Sequence, residues 1–205
     1  MSLLISMGLF ALVGAITPGP VNLVATNSGA RFGFLRTLPH VMGASVAYLI
    51  VVLTAGLGLS RLLEHSRQLQ LGMAIVGGLF ILYLALKIAS AQPQRWQADD
   101  LQRPPGWWSG ALLQWLNPKA WLVASSGVSL FILNQDDPVF VLTSFASLSL
   151  LICVISVGTW AFLGQALQIL LTTSDRQRWF NRIMALLLVL SIASLWLSDS
   201  HRFIH

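Results

Sequence analysis

The chain has 205 residues, of which 56% are hydrophobic and only 9% charged, with a formal net charge of +5. A soluble domain carries about 25% charged residues, so this chain cannot cover itself with polar surface and reads as an integral membrane protein, too short for a separate soluble domain. Its isoelectric point near 10.4 does not point to nucleic acid, because the basic residues fall in short loops between apolar spans, which is the pattern of membrane orientation.

About 20 apolar residues cross a bilayer as a helix. Six segments qualify: Leu3–Thr26, Leu38–Leu59, Leu69–Ile88, Trp108–Ile132, Val139–Leu171 and Trp179–Leu197. The first has no basic n-region and is too long for a signal-peptide h-region, so it is expected to be a retained helix. It contains Thr17-Pro18-Gly19-Pro20 followed by Asn22. Proline has no backbone N–H, so Pro18 and Pro20 remove the usual partners of the Gly14 and Ile16 carbonyls. In lipid each orphaned group costs several kcal/mol, and such a break is tolerated at membrane depth only where it faces protein or a watery cavity. The break is therefore expected to line a polar site, with a simple proline kink as the alternative.

The loops after the first, third and fifth spans, with the helix ends beside them, hold Arg31, Arg36, Lys87, Arg95, Arg103, Arg176, Arg178 and Arg182; the other side holds Arg61, Arg67 and Arg202. The first side is cytoplasmic by the positive-inside rule, which puts both termini outside. His40 stands beside Pro39 at the cytoplasmic mouth of the second span. It can titrate near neutral pH, although an interfacial position is the plainer reading. Ala89 to Trp107, with Pro93, Asp99, Asp100, Pro104 and Pro105, reads as a polar cytoplasmic linker. It divides one membrane domain, residues 1–205, into a repeat over 1–90, a linker over 91–106 and a repeat over 107–205.

Three spans per half means that the second half enters from the opposite face, so related halves form an inverted repeat. The fourth span carries Asn117-Pro118-Lys119, an interruption in the position that corresponds to the first. Paired interruptions of this kind are a pointer to a transporter binding site. The expected fold is all-α and polytopic: six transmembrane helices as two inverted three-helix repeats, with helices 1 and 4 broken at proline motifs.

Lys119 is the sharpest single feature. An ammonium at a helix centre costs about 3 kcal/mol on insertion scales and should turn inward to a partner. The acidic residues Glu64, Asp99, Asp100, Asp136, Asp137, Asp175 and Asp199 all fall in loops or at helix ends. Its expected partners are freed carbonyls, such as that of Gln114, or the carboxylate of a bound amino acid, with Asn22 and Asn117 orienting the latter. The half-helix N-termini after Pro20 and Pro118 would add positive dipole. Snorkelling to the headgroups is the alternative. Trp107, Trp108, Trp115, Trp121, Trp179 and Trp196 cluster in or near the fourth and sixth spans and read mainly as interfacial anchors. Cys153 is expected to be a small core residue. Repeated small residues suit close helix packing and leave room for a homodimer. The histidines His40, His65, His201 and His205 have no metal-ligand spacing, and no catalytic pair, Walker loop or nucleotide fingerprint is present. No cofactor or enzymatic activity is expected.

With the T-P-G-P-x-N break at Thr17 to Asn22, the basic glycine-bearing turn from Gly29 to Arg36 and N-P-K at Asn117 to Lys119, the chain resembles the LysE/RhtB family of amino-acid exporters over essentially its whole length. The context of Gln114 and Asn117 is closest to the cysteine/O-acetylserine branch. The resemblance implies a multi-pass protein of the bacterial inner membrane, exporting amino acids against inward proton flow. Some members have an acidic residue near the first break where this chain offers Asn22. Small neutral substrates such as cysteine, O-acetylserine, homoserine or threonine are favoured over dibasic ones. The expected substrate site comprises Thr17, Pro18, Gly19, Pro20, Asn22, Asn117, Pro118 and Lys119, with His40 and Lys119 as groups for proton movement or gating. The rival readings are a non-transporting membrane scaffold or assembly subunit and a passive channel.

Overall fold

The computed structural model describes residues 3–59, 67–91, 103–132 and 135–200. Most of the expected linker, together with Arg61, Glu64, His65, Arg95, Asp99, Asp100, His201, Arg202 and His205, lies outside the described residues. Within them all regular structure is helical: α1 (Leu3–Ile16), α2 (Pro20–Phe32), α3 (Phe34–Thr54), α4 (Arg67–Ala89), α5 (Trp107–Trp115), α6 (Pro118–Phe131), α7 (Pro138–Leu167) and α8 (Ser174–Ser200). A π-helical turn (Ala55–Leu59) extends α3 and a short 3-10 turn (Gln168–Leu170) follows α7.

The boundaries follow from local chemistry. The residue before a proline is driven out of the α region, and proline itself suits the first helical position. Gly19 is accordingly extended (φ −153°, ψ 177°) before Pro20 opens α2. Asn117 (φ −87°, ψ 106°) precedes Pro118 and caps α6, its side chain accepting from the Lys119 N–H. Asp137 caps α7 in the same way, accepting from Phe140 N at 3.0 Å ahead of which stands Pro138. Between α2 and α3 the chain turns at Gly33 (φ 84°), a left-handed conformation that side chains resist.

The first and fourth spans expected from sequence are thus each two helices. α1 and α2 meet at a 60° bend. Among the described residues, two continuous helices, Phe34–Gly58 and Pro138–Leu170, qualify by length and apolarity to cross a membrane, and the α1–α2 pair qualifies as a bent third.

The core is built on α2 and α7. Every residue from Pro20 to Ala30 is buried, although α2 is the most polar of the inner helices. α7 packs against α1, α2 and α3, while α5 packs on α3 and α4 on α8. Two crossings bring backbones together without side chains between them. A Cβ on Gly29 would stand 2.0 Å from the Ala161 carbonyl oxygen, and one on Gly164 2.1 Å from that of Thr26. At the α3–α5 crossing a Cβ on Gly43 would stand 2.0 Å from the Trp107 oxygen, and one on Gly110 2.1 Å from that of His40. Small residues serve close helix approach here, as their recurrence in the sequence suggests. Polar pairs reinforce the Arg31 end of the bundle: Asn27 Nδ2 donates to Asn181 Oδ1 at 2.9 Å, Ser28 and Thr37 hydroxyls lie 2.8 Å apart, and Gln168 Nε2 donates to the Gly29 carbonyl at 3.2 Å.

Candidate functional site

The two helix breaks face one another across a small, partly open cavity of ≈ 40 Å³. Thr17, Gly19 and Asn22 line it from the first break, and Gln114, Asn117 and Lys119 from the second. Pro18 and Pro20 do not line it; they fix the backbone that does. None of the lining residues is acidic.

Lys119 turns inward. Its Nζ donates to the Thr17 carbonyl at 2.9 Å and to Thr17 Oγ1 at 2.6 Å, a bond between residues 102 apart in sequence. Snorkelling to headgroups is therefore not what the ammonium does. Among the described residues its side chain has no carboxylate partner; their ion pair is Arg178–Asp175, 3.6 Å apart and exposed. The lysine spans the cavity and ties one break to the other, with one N–H beyond the two it uses here.

The carbonyls released by the first break are all received. The Thr17 hydroxyl lies 3.1 Å from the Val13 oxygen and 3.2 Å from the Gly14 oxygen. The Asn22 amide donates to Ala15 O at 2.8 Å and Thr17 O at 3.1 Å. Trp160 Nε1, from α7, donates to Ile16 O at 3.1 Å. At the second break the Gln114 carbonyl accepts Asn117 N at 3.2 Å within the tight turn, and Trp121 Nε1 donates to Trp115 O at 2.8 Å. Each half-helix that ends at a break thus has the carbonyl of its last residue covered by an indole.

This changes the roles that the sequence suggests for the two asparagines. Both donors of the Asn22 amide are committed to backbone, which leaves it only an oxygen to offer; that oxygen suits an ammonium and not a carboxylate. Asn117 Oδ1 accepts the Lys119 backbone N–H at 3.2 Å, so its Nδ2 remains as a donor. Trp121 and Trp160 serve the breaks, whereas Trp107, Trp108, Trp115 and Trp179 are on the periphery as anchors would be. Trp160, which no motif singles out, lies 144 residues from the carbonyl it covers.

His40 is not part of the cavity lining. It is fully buried, with neither ring nitrogen hydrogen-bonded among the described residues. Its burial keeps the ring from facing headgroups as an interfacial residue would, and glycine at 110 lets the α5 backbone ride directly over the His40 carbonyl. Tyr48 on α3 and Val157 on α7, which the sequence does not mark, also line the cavity, as does Cys153 on α7. Cys153 is buried as expected. The described residues contain no cluster of histidine, cysteine and carboxylate able to hold a metal ion.

No solved structure matches the chain significantly. Among curated proteins it is similar to the cysteine/O-acetylserine efflux protein of Klebsiella pneumoniae subsp. pneumoniae, 32% identical over 184 residues, which is 88% of this chain and 90% of that protein. It is similarly related to the cysteine/O-acetylserine efflux protein of Escherichia coli strain K12, 31% identical over 190 residues, covering 92% and 94% of the two chains. The model of the LysE type translocators matches residues 12–198, both breaks and the cavity between them included. This chain belongs to the LysE family, whose members are membrane transporters and not enzymes.

Proposed function

We propose that the protein exports a small neutral amino acid, or a close derivative such as O-acetylserine, across the bacterial inner membrane by a secondary, proton-coupled mechanism. The observation that carries this reading is the cavity between two broken helices, spanned by an ammonium group and lined by no carboxylate. A zwitterionic substrate brings its own carboxylate to Lys119, displacing the weaker neutral acceptors of Thr17, because hydrogen bonds between two charged groups are the stronger ones. Asn117 Nδ2 donates to the same carboxylate, and the oxygen of Asn22 receives the substrate ammonium. A lysine or arginine side chain would find no counter-charge on the cavity wall. The names of the similar proteins agree with this substrate class.

Alternating access follows from six spans in two inverted halves. The packing supports such a relation: the broken first span lies on α7, the broken α5–α6 span on α3, α3 on α7 and α4 on α8. That pattern is unchanged when the halves are exchanged. Rocking of one half about the Lys119–Thr17 contact would open the cavity to each side in turn. With no carboxylate on the cavity wall, the proton is carried by Lys119, by His40 or by the substrate itself. A homodimer through the small-residue faces is compatible with this scheme.

The test is efflux of a panel of labelled amino acids from proteoliposomes, with and without a pH gradient. Accumulation of neutral species against their gradient supports the reading. Equilibration without accumulation would make the protein a passive channel, and no flux of any amino acid would make it a scaffold.

A further inference from the structure

Four polar side chains at the cavity are already engaged within the protein: Thr17 and Asn22 with backbone carbonyls, Asn117 with a backbone N–H, and Lys119 with Thr17. Two are not. The Tyr48 hydroxyl and the Gln114 side-chain amide make no hydrogen bond among the described residues, yet Tyr48 is 5% exposed and Gln114 6% exposed. They differ from His40, Ser149 and Ser156, whose unpartnered atoms are completely enclosed. Tyr48 and Gln114 border the open space of the cavity, from α3 and α5 respectively. A nearly buried donor and acceptor without a protein partner is costly to keep. Two of them on the wall of one cavity point to a polar group of the ligand that completes them.

Their chemistry limits what that group can be. A phenol and a carboxamide each both donate and accept, and neither is charged. Beside them Cys153 and Val157 contribute short, apolar surface. An ammonium or guanidinium side chain would lack a counter-ion there, and a purely hydrocarbon side chain would leave both polar groups unmatched. What fits is a short, uncharged side chain bearing one oxygen or sulfur. We infer that Tyr48 and Gln114 are the specificity-determining contacts for the side chain of the transported amino acid, reading its hydroxyl, thiol or ester. This rests on the proposed function, in which Lys119 holds the carboxylate of the same molecule.

The experiment compares serine and O-acetylserine with alanine and 2-aminobutyrate, which lack the polar atom, in proteoliposome counterflow by the wild-type protein and by Tyr48→Phe, Gln114→Met and Lys119→Ala. A site built to hydrogen-bond a polar group discriminates strongly against analogues without it. Tyr48→Phe and Gln114→Met are each expected to lower transport of the oxygen-bearing pair by about tenfold or more, while alanine and 2-aminobutyrate keep or increase their rates. Equal losses for both pairs, or no loss for either, would overturn the inference. Because the two residues sit on different helices, Gln114→Met decides the matter if Tyr48→Phe fails to insert. Loss of all transport in Lys119→Ala with unchanged selectivity in Tyr48→Phe and Gln114→Met removes the inference and leaves the exporter reading standing. No amino-acid transport by the wild-type protein removes both.

Discussion

Replacing Lys119 by Met separates what the lysine does for function from what it does for the fold. The substitution removes two bonds from Nζ, 2.9 Å to Thr17 O and 2.6 Å to Thr17 Oγ1. It orphans neither acceptor. Thr17 O keeps the Asn22 amide at 3.1 Å, and the Thr17 hydroxyl keeps the carbonyls one turn back. Hydrogen bonds to a charged group contribute about 1.5–3 kcal/mol each. Against that, an ammonium at a helix centre costs about 3 kcal/mol. Both bonds lie on the exposed side of the cavity, where the low end of that range applies, about 3 kcal/mol for the pair. The two effects are of similar size and opposite sign, so Lys119→Met should change stability by no more than about 1–2 kcal/mol. Asn22→Ala provides the contrast. Its amide is the partner that the structure gives the Ala15 carbonyl, at 2.8 Å. Leaving that carbonyl bare at a helix end costs about 1–3 kcal/mol. The expected order is therefore a Tm in detergent close to wild type for Lys119→Met and clearly lower for Asn22→Ala. Counterflow of labelled serine should be at background in Lys119→Met. A Lys119→Met protein that melts below Asn22→Ala and still transports would refute the reasoning: the lysine would then be a structural tie and not a substrate contact.

Two further outcomes test the geometry. Gly164→Ala would set a methyl 2.1 Å from the Thr26 oxygen, so α2 and α7 must separate by about 1 Å or more to reach ordinary contact; a loss of about 1–3 kcal/mol or more is expected, read as a lower Tm and yield, while Gly158→Ala, with only a Phe34 side-chain atom 4.0 Å away, should be neutral. Gly19→Ala should transport, because the Gly19 backbone is extended and its Cβ would meet Lys119 Cδ and Nζ at 3.6 Å; Gly19→Leu should block transport by filling the space in front of the ammonium, and normal flux through it would place the substrate elsewhere.

Gly19 also shows where reading and structure part. A glycine between two prolines ordinarily weakens a helix further. In the structure the prolines alone account for the break, since any residue can adopt φ −153°, ψ 177°, and what the glycine contributes is room beside Lys119. His40 makes the same point from another side. Its neighbours in sequence suggest a helix mouth, whereas its side chain is fully buried and the α5 backbone, some 70 residues away by number, packs on its carbonyl.

The amino-acid sequence by itself indicated a membrane protein, with apolar segments interrupted at Thr17–Pro20 and at Asn117–Pro118, and it favoured an inward Lys119 over one that snorkels. Those features are local or compositional: proline lacks an N–H and constrains the residue before it, apolar segments demand lipid, and a lone ammonium cannot face that lipid. The tertiary structure alone decided that Thr17 receives the ammonium, that Trp160 covers the Ile16 carbonyl, and that Tyr48 and Gln114 border the same cavity without partners among the described residues. These depend on which helices cross and at what height, and that is set by glycine-mediated contacts between residues more than 100 positions apart, such as Gly29 with Ala161. No short-range pattern carries such distances, because close packing selects partners by shape in three dimensions and not by separation along the chain.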